Sequence, residues 1–357
     1  MSVLASRPTV RWGIPVAVVA VALTAGVAGQ ALTADADPSL PPRTAAKLLV
    51  DLQTSSVSGL SGTIVQRADL GLPELPVSLG GQGSSDFASL VTGTHTLRVW
   101  YAGEDKQRIA LLGTLGESDL VRNGRDVWTW SSSSNEVTHL SLPAETAAQP
   151  LPTDLPTTPQ EAADAALAAI EPSTTVSTEG TAVVAGRPAY ELVLRPRDTA
   201  SLVGQVRIAV DAEQNVPLRV RVYAQDATTA AVEIGFSQIS FETPGDEHFD
   251  FVPPPEASVT EVIPDDESVV DAPEQIAPTM IGTGWASVLV TDSPDLTDSA
   301  AEPSELDTVL GSLPRVSGGW GSGRLLESAL FSVLLTDDGR LLVGAVTPER
   351  LFEAASR

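Results

Sequence analysis

Apolar and polar residues alternate along much of the middle of the chain. The clearest alternating runs are residues 97–101, 206–210, 218–222 and 232–236. A period of two gives a strand one apolar face and one polar face. Asn123-Gly124 separates two further short apolar runs, and both residues tolerate the positive φ that a tight hairpin turn requires. The pattern predicts an antiparallel sheet with one buried face.

Two segments have the periodicity of helices instead. Residues 44–53 place Ala45, Leu48, Leu49 and Leu52 on one face, and residues 158–161 open a second helix, 159–170, with a capping box and a proline at its first position. An amphipathic helix needs an apolar partner, and the dry face of the sheet is the only large one. The expected fold is therefore α+β: a curved antiparallel sheet, or unclosed half-barrel, with helices covering its concave face.

The composition changes after this predicted half-barrel. No Lys or Arg occurs between Arg221 and Arg315, and prolines punctuate the same region. Residues 257–278 are predicted to be an acidic, proline-rich linker. A small C-terminal α+β domain follows, with a strand at 285–291, a helix at 304–313, a hairpin at 329–346 and a last helix from Thr347 to Ala355. The glycine-rich segment 318–323 is predicted to be a further linker rather than a phosphate loop.

The N-terminus carries an export element. Arg7 and Arg11 precede the uncharged span 12–34, which is either a signal peptide cleaved near Ala34-Asp35-Ala36 or a single membrane anchor. In either case the basic side stays inside, so residue 37 onward lies outside the cytoplasmic membrane. The predicted organisation is thus 1–36 signal or anchor, 37–256 half-barrel, 257–278 linker and 279–357 C-terminal domain, with the chain membrane-associated if the first segment stays uncleaved.

Charge and residue usage exclude several classes of protein. With 21 basic residues against 46 acidic ones, the net charge of −25 opposes nucleic-acid binding. There is no cysteine, and the three histidines, His95, His139 and His248, are far apart in the chain. No metal site, no cofactor site and no nucleophile–base pair is therefore predicted, and a hydrolase is the least favoured class. His95 and His139 are expected to be ordinary sheet residues.

The order of several motifs resembles a known superfamily. These motifs are the hairpin Asn123-Gly124, the pair Trp128 and Trp130, and Phe249-Asp250-Phe251 followed by three prolines. Over about residues 43–263 the chain resembles LolA-type lipoprotein carriers and the N-terminal domain of RseB/MucB-type envelope sensors, and the C-terminal segment is similar to the small second domain of the sensors. The resemblance implies an open antiparallel barrel enclosing an apolar cavity for acyl chains or a lipidated partner. The chain departs from the lipoprotein relatives in lacking a lipobox cysteine.

Ten residues are expected at such a cavity. The lining is predicted to comprise Leu49, Val99, Leu111, Trp128, Trp130, Val206, Ile208, Val220 and Ile234, with Arg108 at the mouth. For the two tryptophans, core packing is the simpler interpretation and cavity lining is the alternative. The predicted function is that of a non-enzymatic, extracytoplasmic carrier that holds a lipid or the acyl chains of a lipoprotein. The alternative is an envelope-stress sensor that binds a membrane protein, such as an anti-sigma factor or a transporter, through its C-terminal domain.

Overall fold

The computed structural model describes residues 40–72, 87–91, 93–114, 116–142, 158–159, 173–262, 279–292 and 311–357. The predicted export element, almost all of the predicted helix 159–170 and most of the predicted helix 304–313 lie outside these ranges. Within them, no helix combines the length and the apolar character that crossing a membrane requires.

One large sheet of 12 strands forms the main part of the fold between Leu60 and Val262. The strands are β1 Leu60–Ala68, β2 Gly93–Tyr101, β3 Lys106–Leu112, β4 Glu117–Asn123, β5 Asp126–Ser131, β6 Glu136–Ser141, β7 Thr174–Val184, β8 Arg187–Pro196, β9 Val203–Asp211, β10 Pro217–Ala224, β11 Val232–Ser240 and β12 Ser258–Val262. Their spatial order is β12-β6-β5-β4-β3-β2-β1-β11-β10-β9-β8-β7. Every neighbouring pair is antiparallel except β12 and β6, which are parallel. The predicted antiparallel sheet is confirmed.

The sheet curls around a helix. Helix α1, Ala45–Thr54, begins after Thr44, whose Oγ1 accepts a hydrogen bond from the backbone N–H of Lys47 at 3.2 Å. Its Leu48 and Leu52 are buried against the sheet. Strand β7 contacts β11 although three strands separate them in the pairing order, so the sheet is strongly curved. Its edge strands β12 and β7 are not paired with each other, so the sheet is open. We call the face that carries α1 the inner face and the opposite one the outer face.

The C-terminal residues form a second sheet of six strands. These are β13 Thr279–Ile281, β14 Val288–Asp292, β15 Arg315–Gly318, β16 Gly321–Glu327, β17 Ser332–Thr336 and β18 Arg340–Gly344, followed by helix α2, Pro348–Ala355. Trp285 Nε1 donates a hydrogen bond to Thr174 Oγ1 at 2.8 Å. Trp285, Leu330 and Phe331 are buried in the same apolar cluster as the large sheet. The two sheets therefore share core packing.

Two predictions about connecting segments differ from the structure. Residues 258–262, inside the predicted linker 257–278, form β12 and pair with the large sheet, while residues 263–278 lie outside the described ranges. The predicted linker 318–323 is wrong, because these residues turn the hairpin between β15 and β16. Trp320 in that turn stacks on Phe352 of α2, with ring centroids 5.4 Å apart, and this contact anchors the loop.

Candidate binding surfaces

The strand register divides the ten predicted site residues between two faces. Residues paired directly across neighbouring antiparallel strands project from the same side of a sheet. The inner face carries or contacts Leu49, Val99, Leu111, Val206, Ile208, Val220 and Ile234. Arg108, Trp128 and Trp130 project from the outer face, in register with Trp100 and Asp119. A single cavity therefore cannot be lined by all ten residues in this arrangement.

The inner face is closely packed at the predicted positions. The exposed fraction is 3% for Val99, 0% for Leu111, 1% for Val206, 0% for Ile208, 2% for Val220 and 4% for Ile234. These side chains belong to one apolar cluster with Leu48 and Leu52 of α1, and the half-buried Leu49 packs against its margin. In this structure they contact one another as a core does.

The outer face of β2 to β6 carries a row of rings, which we call the aromatic strip: Trp100, Trp128, His139, His248 and Phe251. Trp128 stacks on His139, with ring centroids 3.8 Å apart, and lies 5.5 Å from Phe251. His248 stacks on Trp100 at 5.6 Å. Half-buried aromatic rings of this kind are typical of contact surfaces, so the two tryptophans that sequence reasoning assigned to a cavity belong to a different surface.

Arg108 is paired rather than free. Its Nε and one terminal nitrogen donate to the two carboxylate oxygens of Asp119, each at 2.9 Å. The Asp119 side chain is 3% exposed. Burial and the nearby Asp119 charge raise the pKa of Glu117, whose carboxylate lies 3.9 Å from Arg108. The positive charge predicted at a cavity mouth is thus neutralised on the outer face.

His139 links two distant parts of the chain. Its Nε2 lies 2.9 Å from Asp126 Oδ1, and its Nδ1 lies 2.6 Å from Glu261 Oε2 in β12. Burial lowers the pKa of His139, but the hydrogen bonds with Asp126 and Glu261 outweigh it, so the pKa is raised above its ordinary value. The sequence offers no signal for this contact, because Glu261 is 122 residues away.

A second charged cluster covers the outer face of β7 to β10. Glu191, whose side chain is 8% exposed, accepts hydrogen bonds from Arg207 at 3.1 Å, from Arg219 at 3.3 Å and from Arg221. Glu179 pairs with Arg195 and Arg207. Four arginines thus meet two glutamates across neighbouring strands. Alternation predicts that the arginines share a face, but it does not predict their partners.

The described residues contain no candidate metal site. Across the described ranges, His, Asp and Glu side chains nowhere form a group of three or more that could hold a metal ion.

The central region of the chain matches a known protein family. Residues 91–250 match the family model of the MucB/RseB N-terminal domain. The match confirms, for these residues, the resemblance to the LolA-like and RseB superfamily that the motif order indicates. No curated protein matches the chain.

Solved structures show weaker likenesses. The MucA/MucB complex of Pseudomonas aeruginosa is 17% identical, with 87% of this chain and 96% of that chain covered and a TM-score of 0.46. An uncharacterised conserved protein of Thermus thermophilus is 12% identical, with 61% and 99% covered and a TM-score of 0.35. A LolA-superfamily protein of Nitrosomonas europaea is 13% identical, with 59% and 99% covered and a TM-score of 0.23. At these scores no functional argument rests on the structural likenesses.

Proposed function

We propose that the chain is a non-enzymatic, extracytoplasmic binding protein of the MucB/RseB type, with a polypeptide as its partner. The observation that carries the proposal is the burial of the inner face, where Leu111 and Ile208 are fully buried and Val99 is 3% exposed. An acyl chain would need to lie where these side chains contact one another. The family match over residues 91–250 supports the same choice.

An energetic comparison favours the sensor over the carrier. An acyl chain gains about 0.8 kcal/mol per buried methylene, but to enter the inner face it has to separate side chains that now pack against one another. A lipid would therefore have to offset the separation of several core contacts before any net binding appeared. A polypeptide partner can contact the outer face or the C-terminal sheet without opening the core.

The kind of partner follows from the resemblance. MucB of P. aeruginosa is solved in a complex with MucA. The sequence resemblance implies a membrane anti-sigma factor as the partner of a sensor, and the predicted N-terminal topology puts residue 37 onward on the outer side of the membrane, where such a partner exposes its extracytoplasmic segment. We assign the C-terminal domain, residues 279–357, a share of this contact.

The test compares two ligands on one protein. The purified extracytoplasmic part, residues 37–357, is delipidated and titrated by calorimetry with the extracytoplasmic segments of the anti-sigma factors of its own organism and, separately, with a fluorescent fatty acid. Binding of one segment without binding of the fatty acid is the expected result. Saturable fatty-acid binding, with no segment bound, would establish the carrier instead.

A further inference from the structure

A polar pocket of about 320 Å³ lies on the outer face, where β1 separates β2 from β11. Its lining includes Ser61, Thr63, Arg98, Trp100, Gln238 and Ser240. This volume is at the lower end of the range for small-molecule sites. The pocket is separate from the inner face and from the ten residues predicted from the sequence.

A β-bulge builds one wall of this pocket. In β11, Val232, Ile234 and Phe236 are buried on the inner face, so strict alternation would also turn Gln238 inward. The register of β1 and β11 shifts between Thr63 and Ile64, which pair with Gln238 and Phe236. The extra residue reverses the alternation and turns Gln238 and Ser240 outward. Bulges that redirect side chains in this way are frequent at functional sites.

The polar side chains of the pocket are left available. In the described part of the chain, no carboxylate lies within ion-pair distance of Arg98. Among the same residues, the side chains of Ser61, Thr63 and Gln238 make no hydrogen bond. Glu117 lies close enough to interact electrostatically with Arg98 but makes no ion pair with it. The pocket thus offers one positive charge and several hydrogen-bonding groups to a ligand.

Trp100 holds Arg98 in place. The Arg98 guanidinium carbon lies 5.0 Å from the centroid of the Trp100 ring, and His248 stacks on the same ring. A cation–π contact orients a guanidinium without cancelling its charge. Arg108 also approaches this ring, at 5.2 Å, but Asp119 neutralises it. Of the two arginines, Arg98 is therefore the one available to an anion.

We propose that this pocket binds a small hydroxylated carboxylate, with the carboxylate on Arg98 and the hydroxyl groups on Ser61, Thr63 and Gln238. A single arginine, with no lysine in the lining, matches one negative charge better than a phosphate dianion. Hydroxyl and amide side chains match a ligand rich in hydroxyl groups. The inference is independent of the polypeptide partner proposed above.

The experiment uses D-glucuronate as the probe and D-glucose and acetate as references, titrated by calorimetry into residues 37–357. Glucuronate should bind more tightly than either reference. Arg98→Gln should weaken glucuronate binding about tenfold or more, since hydrogen bonds between charged groups are the strong ones. Arg67→Gln is the matched control: Arg67 is exposed on the same face of β1, outside the pocket, and its loss should change the affinity less than about twofold.

Three results would overturn the proposal. The first is that the wild-type protein binds no glucuronate. The second is that acetate binds as tightly as glucuronate, and the third is that Arg67→Gln weakens glucuronate binding as much as Arg98→Gln does. Gln238→Leu provides a second variant, since its side chain is exposed and its replacement leaves the charge unchanged. This substitution should weaken the binding of glucuronate and leave the binding of acetate unaffected. An equal effect on the binding of both ligands would also contradict the proposed pose.

Discussion

The two faces of the large sheet have opposite chemistry. The inner face is dominated by an apolar cluster that includes α1 and reaches Trp285 and Phe331 beside the C-terminal sheet, and it also buries the polar side chains of Gln66, His95 and Arg122. The outer face carries the aromatic strip, the paired arginines and the polar pocket. Side chains on the inner face mainly pack against one another, whereas the outer face carries half-buried rings and Arg98, which forms no ion pair with the described residues. We therefore expect recognition to take place on the outer face and stability to depend on the inner one.

The largest effect is expected from a charge placed on the inner face. Val99→Asp should cost more than about 4 kcal/mol and unfold the protein, because a carboxylate at this buried position has no partner. Trp130→Asp, on the half-buried outer face, should cost clearly less. Urea unfolding followed by circular dichroism measures both.

The control for this comparison is Arg98→Gln, one residue away on the other face, which should stay within about 0.5 kcal/mol of wild type. A folded Val99→Asp protein with wild-type stability would show that the inner face is open to water. That outcome would favour the lipid-carrier hypothesis over the sensor.

A smaller loss is expected at the end of β9. Asp211 is fully buried, pairs with Arg187 and accepts hydrogen bonds from the backbone N–H groups of Glu213 at 2.9 Å and Gln214 at 2.7 Å. Asp211→Asn should cost about 2 kcal/mol, since it removes the charge that Arg187 faces. Glu213→Gln, an exposed partner of the same arginine, is the matched control and should cost less than about 0.5 kcal/mol.

The same carboxylate predicts a pH dependence. Burial raises the pKa of Asp211, but Arg187 and the two backbone N–H groups outweigh it and hold the pKa below its ordinary value of 3.8. The stabilisation is therefore complete above that value and is lost as the pH falls below it. Acid unfolding of Asp211→Asn should show a weaker dependence on pH than that of wild type, and identical profiles would contradict the assignment.

The smallest effect is expected where β12 joins the sheet. The pKa of His139 is raised, because its hydrogen bonds with Asp126 and Glu261 outweigh its burial, so the stabilisation is present below the ordinary pKa of 6.5 and is lost as the pH rises through the raised value. Hydrogen exchange of the β12 amides should be faster at about pH 8 than at about pH 5.5, after correction for intrinsic rates. In Glu261→Gln this difference should shrink, and an unchanged difference would exclude the contact as its cause.

Much of the sheet could be predicted from alternation alone. Leu97 and Val99, and Val206 and Ile208, lie as their pattern indicates. The predicted hairpin forms, but its turn is shifted by one residue: Asn123 pairs with Asp126, and of the predicted pair only Gly124 has a positive φ, 63°. Alternation states which residues of one strand share a face, but not which face of the sheet that is. This is why Trp128 and Trp130 were assigned to the inner face together with Val99.

The remaining features depend on contacts between distant residues. The bulge opposite Thr63 has a weak sequence signal, since the apolar positions change from Val232, Ile234 and Phe236 to Ile239 and Phe241. The pairing of β12 with β6 has no sequence signal, because the five residues of β12 are all exposed and lie in an acidic stretch. Pockets and ion pairs of this kind are set by the register between strands, which local composition does not encode.

Native mass spectrometry of residues 37–357, with organic extraction of the same sample, shows whether the inner face holds a lipid. If the inner face is a closed core and the partner is a polypeptide, the measured mass should be that of the chain alone. The extract should then contain no lipid in stoichiometric amount. A defined acyl lipid that stays bound at one per chain, and that is lost on extraction, would contradict the account and show that the inner face opens to hold it.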